Sequence, residues 1–205
     1  MKILKIQFSP HVKGRILLFL EDGTLLKMTE KECLTFDLHP GAELDKDTLE
    51  QIRAEGERSQ WRQQGAAMTG RRMFSGKEVC DRLMKKGAGE DQARETVEWL
   101  QELGAVDDAG YAGAIVRHYA AAGYGAAKVR QELQRRGVPR ELWEVALAQM
   151  PPAEEAIRRF AAKRMGTGQG QAYQKTAEAL LRRGFRWDEI RPVLREWEPE
   201  MKEEL

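Results

Sequence analysis

The sequence predicts a mainly α fold: a tandem array of three three-helix repeats forming a curved, elongated body, preceded by a small N-terminal antiparallel β segment. Three observations carry this. First, a five-residue word recurs as Leu83-Met84-Lys85-Lys86-Gly87, Leu133-Gln134-Arg135-Arg136-Gly137 and Leu180-Leu181-Arg182-Arg183-Gly184, with glycines 50 and 47 residues apart. A period of that size marks stacked supersecondary units. Second, the agreement continues around each word: Val79, Val129 and Thr176 stand eight residues before the glycine, and Val97, Leu147 and Leu194 ten residues after it. Third, apolar residues ahead of the repeats alternate with a period of two instead, as half-buried strands require.

In chain order, Lys2 to Phe8, Arg15 to Leu20 and Thr24 to Met28 read as strands, with Asp22-Gly23 forming the tight turn between the last two. Thr29-Glu30-Lys31-Glu32 has capping-box spacing and opens a short helix toward Leu38, which Pro40-Gly41 breaks. Asp47-Thr48-Leu49-Glu50 opens a charged helix toward Arg62 whose few apolar anchors, Leu49, Ile52 and Trp61, suit a connector. This makes residues 1–56 a β-hairpin extension with a connector helix, followed by repeats over 57–106, 107–150 and 151–205. The first repeat has a capping box at Ser75-Gly76-Lys77-Glu78, then Val79 and Leu83, then Val97, Leu100 and Leu103 as inward positions. In the second, Asp107 or Asp108 caps a helix through Tyr111, Ile115, Val116 and Tyr119 that ends near Gly123. Gly125 precedes the next helix, and Pro139 begins a third that buries Leu142, Val145, Ala146 and Leu147. The third repeat starts after Pro151-Pro152, uses Ile157 and Phe160, crosses a Gly-rich loop at Gly166 to Gly170, resumes through Ala177, Leu180 and Leu181, and opens its last helix at Trp187-Asp188-Glu189-Ile190.

Composition narrows the function. The 205 residues are 41% apolar and 33% charged, a globular balance, and only two are cysteines, Cys33 and Cys80. Two thiols build neither a disulfide framework nor a four-ligand zinc site, so buried, inert thiols are expected. The longest strongly apolar run, Ile16 to Leu20, is followed by Glu21 and Asp22. Neither a membrane span nor a signal segment is read, and a soluble, cytoplasmic protein is expected. The formal charge of +1 hides an asymmetry: residues 157–195 hold ten bases against three acids, net +7, while residues 196–205 hold five glutamates against Lys202, net −4. A local excess of that size attracts polyanions or an acidic protein surface, and its attraction is salt-sensitive.

Each recurring word has a local explanation in helix termination. Two cations in the last turn oppose the partial negative charge of the helix end, contributing about 0.3–1 kcal/mol, and glycine accepts the left-handed conformation that stops the helix. A solvated helical face accounts for the remaining bases in the same way. The collective reading is a periodic basic track, made of Lys85, Lys86, Arg135, Arg136, Arg182 and Arg183, joined by Arg158, Arg159, Lys163 and Arg164.

Catalytic patterns fail one by one. Gly76-Lys77 has Arg71 where a phosphate-binding loop needs glycine, and Glu78 where it needs Ser or Thr. The run Gly166-Thr167-Gly168-Gln169-Gly170 follows a helix and has Gln171 at the third fingerprint position. Asp107-Asp108 reads as a cap before it reads as a metal or acid site. His11, His39 and His118 stand apart without ligand spacing. The five tryptophans, spread over the repeats, favour core packing. Tyr111, Tyr119, Tyr124 and Tyr173 have more claim to exposed contact than the tryptophans, Tyr124 above all, but core or boundary placement is the favoured reading for them too. No enzyme, cofactor or metal is expected.

Gly104-Ala105-Val106-Asp107-Asp108, Tyr111-Ala112, Gly123-Tyr124-Gly125, Val129-Arg130-Gln131-Glu132-Leu133 and Arg136-Gly137-Val138, followed by an apolar helix with Ala146-Leu147, resemble the middle repeat of the bacterial RecX regulatory proteins. Weaker similarity runs back through Leu83 to Gly87 and forward through Leu181 to Phe185, about 130 residues in all. The N-terminal strands are similar to an extension found in some members. The first repeat departs from the pattern, with Ala88-Gly89 where an apolar residue follows the glycine in the other two, and residues 196–205 match no family feature. The resemblance implies a non-enzymatic modulator of the RecA recombinase, acting in homologous recombination, DNA repair and the SOS response; a monomer is expected, although the sequence does not fix the oligomeric state. Such proteins bind the nucleoprotein filament and usually inhibit strand exchange, coprotease stimulation and ATP hydrolysis. The basic track would then contact acidic filament surface or single- or double-stranded DNA, an assignment made from charge and not from a family motif. Two rivals remain open, a stand-alone DNA-binding module and a helical-repeat scaffold for another protein. The acidic residues after Arg195 could screen the basic third repeat or simply solvate the chain end.

Overall fold

The computed structural model describes residues 1–165 and 171–197, so the expected Gly166 to Gly170 loop and most of the acidic tail lie outside the described residues. The chain divides into two compact units, Met1–Met73 with Val79–Val106, and Phe74–Glu78 with Asp107–Leu205.

In the first unit, β1 (Ile3–Phe8), β2 (Arg15–Leu20) and β3 (Leu25–Thr29) form an antiparallel sheet in the order β1-β2-β3. The alternation places Ile16, Leu18 and Leu20 of the central strand inward, against Ile3 and Met28. Gly23 turns the hairpin at φ 84°. Thr29 caps α1 (Glu30–Thr35) through a complete capping box with Glu32. The helix stops three residues short of the expected Leu38, because Asp37 adopts φ 48° and the Leu38 amide folds back to the Cys33 carbonyl.

Sequence reading erred most over α2. It runs Lys46–Thr69, is capped by Asp45 and not by Asp47, and passes Arg62 and the expected boundary at 56 without a break. Nor is it a bare connector: it packs on β3 and on α4 (Glu90–Glu102). Its interior glycines explain both its pattern and its weak periodicity. A methyl group on Gly56 would meet the Lys27 carbonyl at 2.9 Å, and one on Gly65 would meet Leu100 Cδ1 at 2.8 Å. Glycine buys that close approach at the cost of helix propensity. Buried Arg15 ties the sheet to the same helix, donating to Ser59 Oγ at 2.9 Å and Gln63 Oε1 at 2.6 Å.

The remaining elements are α3 (Gly76–Lys85), α5 (Asp108–Ala121), α6 (Ala126–Arg135), α7 (Trp143–Leu147), α8 (Ala153–Met165), α9 (Gln171–Arg182) and α10 (Trp187–Leu194). In the second unit, one core gathers Tyr111, Ile115, Val116, Val129, Leu133, Val138, Ala146 and Leu147, and another gathers Ile157, Ala161, Leu180, Phe185, Ile190, Val193 and Leu194. The periodic positions Val79, Val129 and Thr176, and Leu83, Leu133 and Leu180, are all buried. Ala88 is buried as well, so the diverged first word keeps its packing position despite the smaller side chain.

Several expectations are corrected. After Pro139 the chain makes a 3-10 turn, Arg140–Leu142, before the short α7, and this rotates Val145 into solvent. Leu103 and Trp187 are likewise exposed, Leu103 because it follows the last residue of α4 and Trp187 because it opens α10. By contrast, Trp61 is buried, Trp143 and Trp197 pack against the two cores of the second unit, and Tyr111 lies in the core, the placement favoured for it.

Candidate functional site: a basic groove in the third repeat

Each recurring word is a Schellman helix end. The Ala88, Val138 and Phe185 amides donate to the Leu83, Leu133 and Leu180 carbonyls, and the Gly87, Gly137 and Gly184 amides to the Met84, Gln134 and Leu181 carbonyls. All three glycines have positive φ. Leucine, glycine and the apolar residue after it are thus required by the stop signal itself. The bases occupy the last helical position and the cap, where the requirement is looser.

Their environments differ. Lys85 and Lys86 are exposed. Arg135 leaves 63% of its side chain in solvent while its guanidinium pairs with Glu132 at 2.8 Å. Arg136 keeps only 24% and donates to the buried Tyr111 hydroxyl at 2.6 Å. Arg182 is exposed, 3.7 Å from Glu178. Arg183 turns inward: its Nη1 donates to the Ala122 and Gly123 carbonyls at 3.1 and 3.2 Å. Its guanidinium carbon lies 4.7 Å from the Phe160 ring centre and 5.0 Å from that of Tyr124.

The bases of α8 also separate. Arg158 is held by Glu154 at 2.8 Å and by Glu196 at 2.6 Å. Hydrogen bonding to Glu196 and then to Glu154 raises its pKa, and the same contact holds Glu196 below the usual carboxylate range. Arg159, Lys163 and Arg164 instead line a groove of about 330 Å3 with Phe160, Ala156, Arg183 and the end of α5, Ala120 to Gly123. Arg159 pairs with Glu155 at 3.1 Å, and the Arg164 guanidinium carbon sits 5.6 Å from the Phe160 ring centre. Four of the ten predicted bases therefore converge on one concave surface, while Arg158 is committed to fold contacts.

With two guanidinium groups within 5.6 Å of its centre, the Phe160 ring is engaged by the cations of the groove. The groove lining is thus cationic and apolar. Asp107 and Asp108 serve as caps, accepting from the Gly110 and Gly76 amides. Among the described residues no group of His, Cys, Asp or Glu could hold a metal ion, and no helix is long and apolar enough to cross a membrane. Cys33 is buried, which pushes its thiol pKa up, and Cys80 is half-buried. Sequence reading missed Phe160 as a cation platform and the alanine-rich floor of the groove. The four-residue step from Phe160 to Arg164 on one helix was the available signal.

A tandem array of three-helix repeats behind a small β segment, with a cation-lined groove in its last repeat, defines a helical-repeat protein. Residues 107–147 match the family model for the second three-helix domain of RecX, and residues 153–194 that for the third. A protein named "Regulatory protein RecX" from Xanthomonas axonopodis pv. citri is 35% identical over 130 residues, 61% of this chain and 80% of that one. One of the same name from Bacillus licheniformis is 27% identical over 201 residues, 95% of this chain and 76% of its own. The crystal structure of a regulatory protein RecX shares the fold with a TM-score of 0.75 at 22% identity, covering 94% of this chain and 98% of that one. This chain belongs to the RecX family.

Proposed function

We propose that this protein is a non-enzymatic regulator of the RecA recombinase that binds the nucleoprotein filament and lowers its ATPase, strand-exchange and coprotease activities. The observation carrying the reading is the groove of Arg159, Phe160, Lys163, Arg164 and Arg183, found in a chain whose relatives are named regulatory protein RecX. A repetitive, DNA-bearing filament presents anions at intervals, and fixed cations on a repeat protein are suited to receive them. Lys85, Lys86, Arg135 and Arg182, which point to solvent, extend the contact in this reading; Arg158 does not take part.

The deciding experiment titrates the protein into cognate RecA filaments preformed on single-stranded DNA and follows ATP hydrolysis. Suppression at substoichiometric ratios is expected. Unchanged hydrolysis, with bare DNA shifted instead, would favour a stand-alone DNA-binding module. Charge reversal of Arg159, Lys163 and Arg164 together should weaken suppression at least tenfold with helicity retained, and unaltered suppression at low salt would remove the groove from the account.

A further inference from the structure

We propose that Arg183 is a positioning residue: it locks the third repeat onto the second and cancels the negative end of α5, so that the cations beside it can receive an anion. This rests on the groove being the binding surface.

The backbone makes the first half of the argument. A Schellman end leaves the carbonyl of its cap residue without a partner inside the helix. In the second repeat that carbonyl, on Arg136, accepts from Ser75 Oγ, the cap of α3. In the third, the Arg183 carbonyl accepts from the amide of Gly125, the cap of α6, at 2.9 Å, and the Gly184 carbonyl from the Ala127 amide at 3.1 Å. The same docking, the start of one second helix on the end of the next, occurs twice. At the junction of repeats two and three it is tight enough that a methyl group on Gly125 would overlap the Gly184 carbonyl.

The side chain makes the second half. The last carbonyls of a helix carry about half a negative charge between them, and those of α5 line the groove. An anion entering there would meet them beside Lys163 and Arg164. Arg183 covers the Ala122 and Gly123 carbonyls with one nitrogen, and the rings of Tyr124 and Phe160 fix its plane. A lysine ammonium could also donate to two carbonyls, but as a point charge on a flexible stem it has no plane for the two rings to hold, and so fixes the joint less firmly. Lys86, the equivalent residue of the first word, is exposed, and a methyl group on its neighbour Gly87 would meet nothing within 4 Å. Lysine stands where there is no joint to build. The repeated pair thus divides its work in the last repeat: Arg182 faces solvent, and Arg183 builds the joint.

The test compares Arg183→Lys with Arg182→Lys, two variants of unchanged charge. Spin labels at positions 118 and 191, both exposed, placed in a Cys33→Ser, Cys80→Ser background, report the distance between α5 and α10 in the free protein. Arg183→Lys should broaden that distribution and weaken suppression of filament ATPase about tenfold, while Arg182→Lys, at a side chain that faces solvent, leaves the distribution unchanged. Should Arg183→Lys lose helicity, Phe160→Leu removes one flanking ring, keeps every charge and is expected to broaden the same distribution. A wild-type distribution in whichever of the two is folded overturns the proposal. If the parent protein itself fails to suppress ATPase, the functional reading falls, and the distances still decide whether Arg183 positions the repeat.

Discussion

At the scale of single residues, the three word glycines share one backbone conformation and differ in their surroundings. Gly184 has φ 87°, and a methyl group on it would overlap the backbone of Lys128. Gly87 has φ 101° and open space. The conformational cost of a side chain at such φ is about 1–2 kcal/mol at either site, and forcing backbone apart adds about 1–3 kcal/mol at the packed one. Gly87→Ala should therefore cost about 1 kcal/mol and Gly184→Ala about 3 kcal/mol or more in urea denaturation. Equal losses would mean that the repeat junction gives way as easily as open solvent. The word itself was legible in the sequence as a helix end, because leucine, glycine and the charge pair are local requirements. What each base does after the helix has ended was not legible, since that depends on which carbonyl or carboxylate another segment brings near. Arg158 and Arg183 look like free cations in the sequence, and in the fold they hold Glu196 and the end of α5.

At the scale of elements, α6 carries its own charged cluster. Glu132, nearly buried, is flanked by Lys128 at 3.3 Å and Arg135 at 2.8 Å. Burial alone would raise its pKa, but hydrogen bonds from Arg135, Lys128 and Tyr119 outweigh it and hold the carboxyl below its usual 4.5. A carboxylate depressed in the folded state adds stability that is fully present above its unfolded value and fades as pH falls through the folded one. Glu132→Gln should accordingly be less stable than the parent at pH 7, with the gap narrowing below about pH 4.5 in denaturation series at pH 7, 5 and 3. A gap independent of pH would assign Glu132 a role of shape and not of charge. Elements with strong local signals were legible to within a residue or two: the hairpin at Asp22-Gly23, the capping boxes at Thr29 and Ser75, and α8 after Pro151-Pro152. Helix α2 was not, because Gly56 and Gly65 are chosen for their neighbours on β3 and α4, and no local rule anticipates those neighbours.

At the scale of the whole molecule, the net charge of +1 is a poor guide to association. The screening length at physiological salt is about 8 Å, so a partner meeting the groove responds chiefly to the charges that line and flank it, Arg159, Lys163 and Arg164 with Glu155 beside them. If those three side chains neutralise phosphates, each contributes about 0.7 to 0.9 to the slope of log affinity against log salt. Arg159 already shares its charge with Glu155, so its share is the smallest. Replacing all three by glutamine should then flatten the measured slope for filament or single-stranded DNA by about 2, and lower affinity most at low salt. Arg94, exposed and paired with Asp91 in the first unit, provides the control, and Arg94→Gln should leave the slope unchanged. A triple variant that loses affinity equally at every salt concentration would point to lost shape in the groove. A slope that falls as much for Arg94→Gln would instead mean that the field of the chain as a whole, and not this groove, draws the partner in.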